Sequence, residues 1–300
     1  MASLTGKSAA RRPPAKPARS AKAPGGARAR RPRAGRLTLP VLLVLTALVT
    51  VVPFAAMVLV AFAPAGGRTF PDAFTPTRFT LENFQHVLSS SDLPRWTLNS
   101  LVFSLLSVVL ILLFASMAGY AFAKKRFPGR DALFWALLAT LMVPFQATLI
   151  PSYILVSKLG GVDTYWGMIV PTLANAQAIF LMRQFIVQLP DELFEAAELD
   201  GASEWRIFVT IVLPLIRPAL ATLGVFVFLW HWNDFLWPLV IGQSGEMQTL
   251  TVGLATLQSE NVPINQIMAG ASITVLPSLL IFGLLQRYLT DSIAMTGLKG

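Results

Sequence analysis

Six carboxylates crowd one short stretch of this chain: Asp191, Glu192, Glu195, Glu198, Asp200 and Glu204. Acids on a compact helix are suited to pairing with a basic cleft on another protein. A second group gathers Trp230, His231, Trp232, Asn233, Asp234 and Trp237. Aromatic faces cover the C–H patches of a sugar, and Asn and Asp hydrogen-bond its hydroxyls. Trp232, Asn233 and Asp234 are therefore candidates for a substrate path, and Gln146 is a weaker one of the same kind. Trp residues near the end of an apolar run also form interfacial belts, so both readings of this cluster stand. His231 and Asp234 are three apart and share a helix face, but no Gly-x-Ser-x-Gly or His-Glu-x-x-His context accompanies them. There is no Cys, and His86 and His231 are too few and too far apart for a metal cluster. No Gly-x4-Gly-Lys-[Ser/Thr] phosphate loop occurs, so any ATP hydrolysis belongs to another chain. The expectation is a protein with no catalytic residue, no cofactor and no metal.

The elements that position these groups are apolar. The chain has 300 residues, 54% of them hydrophobic and 13% charged, about half the charge of an ordinary soluble domain. Six runs are long enough to cross a bilayer as helices: Leu37–Phe62, Thr97–Phe122, Ala132–Val156, Tyr165–Ile186, Pro218–Ile241 and Ile267–Tyr288. Pro144, Gln146 and Pro151 interrupt the third, which predicts a kink. In lipid the backbone must satisfy its own hydrogen bonds, so the fold class is all-α and polytopic.

The net charge of +9 is a property of the tail, because residues 1–36 hold 11 Lys/Arg and no acid. That Ala/Pro/Arg-rich stretch predicts a disordered cytoplasmic tail that touches anionic membrane lipid. It contains no aromatic platform for bases, so no nucleic-acid partner is expected. Ala61-Phe62-Ala63 resembles a signal-cleavage site, but the apolar run is too long for one and Pro64 follows it, which predicts an uncleaved first span. With the N-terminus inside, cytoplasmic segments carry 20 Lys/Arg and external ones only Arg68, Arg78, Arg95 and Lys158, which places both termini in the cytoplasm. The domain reading is then a tail over 1–36, a six-helix membrane domain over 37–289 with a cytoplasmic loop at 187–217, and a short cytoplasmic C-terminal tail over 290–300.

Within that loop, Leu189-Pro190-Asp191-Glu192 reads as a helix start. Leu193, Ala196, Ala197 and Leu199 can form one side of a short helix. Gly201 suits a turn with positive φ. Ser203 caps a second helix, which Pro214 is expected to break. In the external segment, Thr80 is a candidate cap for a short helix.

The spacing Glu195-Ala196-Ala197-x3-Gly201-x9-Ile211-x-Leu213-Pro214 resembles the cytoplasmic signature of ABC importer permeases. Asn99-Ser100, Ala118–Lys124, Phe127-Pro128-Gly129, Met142-Val143-Pro144, Trp232–Leu239 and Gln286-Arg287-Tyr288 extend the resemblance to carbohydrate importers of the maltose type. The resemblance implies the type I importer permease fold with six transmembrane helices. It also implies a second permease subunit, two ABC ATPase subunits, an extracytoplasmic solute-binding protein and a sugar substrate. By that resemblance, Glu195 faces an ATPase cleft and Gly201 forms the bend of the coupling helix. Lys299-Gly300 matches the tail end of such permeases, whereas Ile293–Gly297 matches only in part. The alternative is a self-sufficient secondary transporter or channel, which needs functional charges within its spans and no docking loop.

Overall fold

The computed structural model describes residues 34–64, 78–90, 92–259 and 262–297. The basic tail up to residue 33 and Lys299-Gly300 lie outside the described residues. Contacts divide the chain into residues 1–50 and residues 51–300. In the first unit the described part is helical, and its side chains from Leu39 to Thr50 are exposed and mostly apolar, as lipid-facing positions are.

Among the described residues the protein is helical, with no strand. The helices in chain order are α1 (Ala34–Ala61), α2 (Glu82–Ser90), α3 (Leu93–Lys124), α4 (Arg130–Thr140), α5 (Phe145–Lys158), α6 (Tyr165–Ile169), α7 (Ala176–Val187), α8 (Glu192–Leu199), α9 (Glu204–Ile207), α10 (Leu213–Leu215), α11 (Arg217–Trp232), α12 (Leu236–Ile241), α13 (Leu250–Ser259) and α14 (Ile264–Gly297). The centre of residues 51–300 is α3, which packs along α7 and α11. Small residues let it do so. A Cβ on Gly119 would lie 2.8 Å from the Cβ of Met182 and 2.9 Å from the backbone N of Arg183, so only glycine permits this approach of α3 to α7. Thr80 caps α2 as its position suggests, accepting the Glu82 N–H at 3.1 Å.

All six apolar segments fall among the described residues, and within those residues three of them contain an unbroken helix long and apolar enough to cross a membrane: Leu39–Ala61, Leu93–Lys124 and Ile264–Gly283. The expectation that each run forms one helix is corrected at the other three. The third divides into α4 and α5, bent by 100°. Pro144 lacks an N–H and adopts extended backbone (φ −60°, ψ 135°), which ends the helix outright rather than kinking it. Pro151 stays inside α5. The fourth breaks after a 3-10 turn at Val170–Thr172, and Asn175 restarts the helix by accepting the Ala178 N–H at 2.9 Å. The fifth breaks between Trp232 and Leu236. In a continuous helix Pro238 would clash with the carbonyl of Asp234 and leave it without a donor. The break frees that carbonyl, which accepts the Thr251 hydroxyl at 2.7 Å.

The helix expected to stop at Pro214 also differs. It continues to Leu215 through a π-helical turn at Phe208–Val212, in which the Leu213 N–H reaches back to the Phe208 carbonyl. The wider turn takes in the proline, and the bend falls at Ile216 instead, 77° before α11. At the C-terminus, α14 runs on as helix to Gly297.

Candidate functional site

The acidic stretch folds as two short helices around a glycine turn. Gly201 has φ +73° with nothing within 4 Å of an added Cβ, so its requirement is conformational rather than steric. Ser203 opens α9 and accepts the Arg206 N–H at 3.3 Å. Phe194 and Ile207 are the inward faces of α8 and α9, buried with Ile111, Met182, Ile186 and Phe208.

The six acids do not share one environment. Lys124, at the last turn of α3, bonds the Leu189 carbonyl and the Asp191 carboxylate, both at 2.6 Å. Its side chain is only 8% exposed. Lys125 bonds Glu204 at 2.5 Å and Glu198 at 3.2 Å. The Tyr120 hydroxyl donates to the other Glu204 oxygen at 3.0 Å, and the Tyr120 ring stacks on Phe194. Burial works against the Lys125 charge, but hydrogen bonds to Glu204, Tyr120 and Glu198 outweigh it and hold its ammonium above the ordinary lysine range. The Lys125 hydrogen bond holds the Glu204 carboxyl below its usual range despite partial desolvation.

Asp191, Glu198 and Glu204 are therefore internal fastenings of the loop to α3. Glu192, Glu195 and Asp200 pair with no cation among the described residues. They flank an exposed apolar ridge made of Leu193, Ala196 and Leu199, the last 89% exposed. Of the remaining signature residues, Ala197, Ile211, Leu213 and Pro214 are half-buried beneath that ridge and along the π turn. Sequence reading missed Tyr120, Lys124 and Lys125 as partners of this loop. Tyr120 and Lys124 lie in a run noted for its resemblance and Lys125 directly follows it, and the pairs join residues 67 and 79 positions apart.

The other candidate residues do not form one site. Trp232 is 1% exposed, stacks on Phe228 and donates its indole N–H to the Thr274 carbonyl at 3.1 Å, so it packs in the core. Asn233 is exposed and donates to the Leu229 carbonyl at 2.7 Å. Asp234 is half-buried, with the backbone N–H groups of Trp237, Phe235 and Leu236 around its carboxylate. It sits where a helix start needs an acceptor, at the head of α12. His231 is buried and bonds the Val227 carbonyl at 2.8 Å, so it does not form a pair with Asp234. Gln146 is exposed in the first turn of α5, directly after the 100° break.

The far end of α3 holds a different polar cluster. Asn99 is 2% exposed. It donates to the Glu246 and Gln248 carbonyls at 2.9 and 2.8 Å and accepts the Tyr165 hydroxyl at 2.7 Å. Ser100 accepts the Leu250 N–H at 2.8 Å, and Trp96 donates to the Gly245 carbonyl at 3.1 Å. Arg95 pairs with Glu246 at 3.0 Å.

Comparison with known proteins places this architecture. Residues 111–294, including the acidic loop and both halves of the broken fifth segment, match the family described as binding-protein-dependent transport system inner membrane component. The chain belongs to this family. The permease is 39% identical over 263 residues to the arabinooligosaccharides transport system permease protein AraQ of Halalkalibacterium halodurans, covering 85% of this chain and 93% of that one. It is 39% identical over 194 residues to the sn-glycerol-3-phosphate transport system permease protein UgpE of Pectobacterium atrosepticum, covering 64% and 69%. Its fold matches a chain in the crystal structure of a bacterial ABC transporter involved in the import of the acidic polysaccharide alginate. The TM-score is 0.76 at 23% identity, over 85% of this chain and 96% of that one. The protein is thus a multi-pass inner-membrane permease with the type I importer fold. The paired acids of its loop explain how a short helix–turn–helix is held against the end of a membrane helix.

Proposed function

We propose that this permease forms the membrane path of an ATP-driven importer for sugars or oligosaccharides, and that α8 presents its outward face to a separate ATPase subunit. One observation carries the reading. The loop keeps three acids for its own attachment and leaves Glu192, Glu195 and Asp200 unpaired around the exposed Leu193-Ala196-Leu199 ridge. An apolar ridge rimmed by unpaired acids is complementary to a hydrophobic cleft with basic edges.

Two ABC ATPases, a second permease subunit and an extracytoplasmic solute-binding protein complete the assembly, a reading that the family description supports. ATP hydrolysis resides on the partner chains. The Lys124 end of α3 faces the cytoplasm, as do both termini, in keeping with the excess of Lys/Arg there. The domains follow as a tail over 1–36, the membrane domain over 37–289 and a C-terminal tail over 290–300. The substrate class rests on relatives such as the arabinooligosaccharide permease. The glycerol-3-phosphate relative marks a phosphorylated polyol as the second class to assay. Along the path, Gln146 and Asn233 are the exposed polar candidates. Asp234 contributes by fixing the start of α12, and Trp232 by packing behind it.

The test is Glu195→Lys, which reverses charge at an exposed position. At matched permease levels, loss of a desolvated pair worth about 2–5 kcal/mol reduces ATPase copurification by at least about thirtyfold. Sugar uptake in vesicles falls with it. Retained ATPase together with normal uptake would refute the docking assignment.

A further inference from the structure

The turn between α3 and α4 carries a separate basic site. A concavity of about 360 Å³ is lined by Arg126, Phe127, Gly129, Arg130, Asp131 and Ala132. Arg130 donates Nε to Asp131 at 2.9 Å and one terminal nitrogen to the Lys125 carbonyl at 3.3 Å. Its other terminal nitrogen remains available. Arg126 is exposed and pairs with no acid among the described residues. Two guanidinium groups against one carboxylate leave the lining with net positive charge. Nothing lies within 4 Å of a Cβ added at Gly129, so the mouth is open.

Position identifies the occupant. Arg126 follows the last residue of the α3 span by two positions, and Arg130 opens the next apolar helix pair. The concavity therefore lies where hydrocarbon gives way to headgroups. Leu133 and Trp135 on α4 are 56% and 69% exposed, an apolar surface suited to acyl chains running from it. We propose that this concavity binds the phosphate of an anionic phospholipid, with Arg126 and Arg130 as its ligands. Guanidinium forks recognise phosphate oxygens in pairs, which an ammonium does not do. The proposal requires membrane insertion but not the docking of α8, so either one can fail while the other stands.

The test is native mass spectrometry of the full chain in its purified assembly, exposed to equimolar phosphatidylglycerol and phosphatidylcholine. Each arginine contributes about fivefold to anionic preference near a membrane surface. Wild type retains phosphatidylglycerol in excess, Arg126→Gln lowers that excess about fivefold, and Arg126→Gln/Arg130→Gln brings it near parity. Lys158→Gln, at the far end of α5, leaves it unchanged. If the double variant fails to assemble, the single variant is read alone. Equal retention of the two lipids by wild type overturns the proposal, as does unchanged preference in Arg126→Gln. Displacement of the lipid by millimolar inorganic phosphate shows a free-anion site and also overturns it. So does loss of a protein subunit from Arg126→Gln while the lipid preference persists, which marks a protein contact.

Discussion

At one end of α3, the buried side chains of Trp96, Asn99 and Ser100 tie the 245–250 segment to the helix with neutral hydrogen bonds that are buried or half-buried. At the other end, about 38 Å away along the helix, Lys124 and Lys125 hold the acidic loop by ion pairs whose carboxylates are 55–77% exposed. The first arrangement is worth stability, because an unmade buried hydrogen bond is costly. The second is a weaker fastening, its carboxylates facing solvent, that leaves three acids and an apolar ridge for something else. One end locks and the other presents. Changes at the Asn99 end should therefore remove the fold, whereas changes on the outer face of α8 should remove a partner and spare the fold.

The largest expected effect is at Asn99. Asn99→Ala leaves the Gln248 carbonyl and the Tyr165 hydroxyl without a partner and the Glu246 carbonyl with Arg95 alone, and costs about 3 kcal/mol or more. In detergent this lowers the unfolding midpoint by roughly 10 °C, with loss of membrane-inserted protein. A midpoint unchanged from wild type would dissolve the contrast between the two ends. Next comes Lys124→Met, which frees the Leu189 carbonyl and costs about 2 kcal/mol, since that ammonium is buried and charge-assisted. Its readout is faster proteolysis within residues 187–204 while the spans stay intact. Asp234→Ala removes an acceptor at the head of α12 and costs about 1 kcal/mol, whereas uptake per folded molecule stays near wild type. A large loss of uptake at full stability would instead return Asp234 to the substrate path.

The smallest effect is pH dependence at the Lys125 cluster. Glu204 is held below its ordinary value, so its contribution is present above about pH 4.3 and lost as pH falls through its folded value. Lys125 is held above its ordinary value, so its contribution is present below about pH 10.4 and lost only as pH rises through its folded value. Labelling of a Cys introduced at Ala202, divided at each pH by the rate for a free thiol, should be flat between about pH 5 and 10 and rise below that range. Glu204→Gln should abolish the acid rise.

Local features of the fold were legible in the sequence because they depend on neighbours. The Gly201 turn, the Thr80 and Ser203 caps and the apolar runs all rest on residues within one or two helical turns. The breaks inside those runs were harder to read. Asn175 looks like an isolated polar residue until it is seen accepting the Ala178 N–H. Pro238 looks tolerable at a span end until Asp234 is found to need Thr251, 17 residues on, in place of a helical donor. Composition pooled the six acids near Gly201 as one charge facing outward. Half of those acids are engaged by Lys124 and Lys125, which approach because α3 and α7 meet at Gly119. Trp232 was equally ambiguous, since an indole that packs against Phe228 and one that faces a sugar have the same sequence neighbourhood.

The claim that α8 is the presenting face is tested most directly by a single Cys at Ala196 in this Cys-free chain. The position is exposed at the centre of the ridge. The measurement is the rate of maleimide labelling in the assembled complex and in permease stripped of its ATPase. Occlusion at the centre of an interface predicts labelling slower by on the order of tenfold in the complex, with no change for a Cys at exposed Asn233. Equal rates at Ala196 with and without the ATPase would contradict the account.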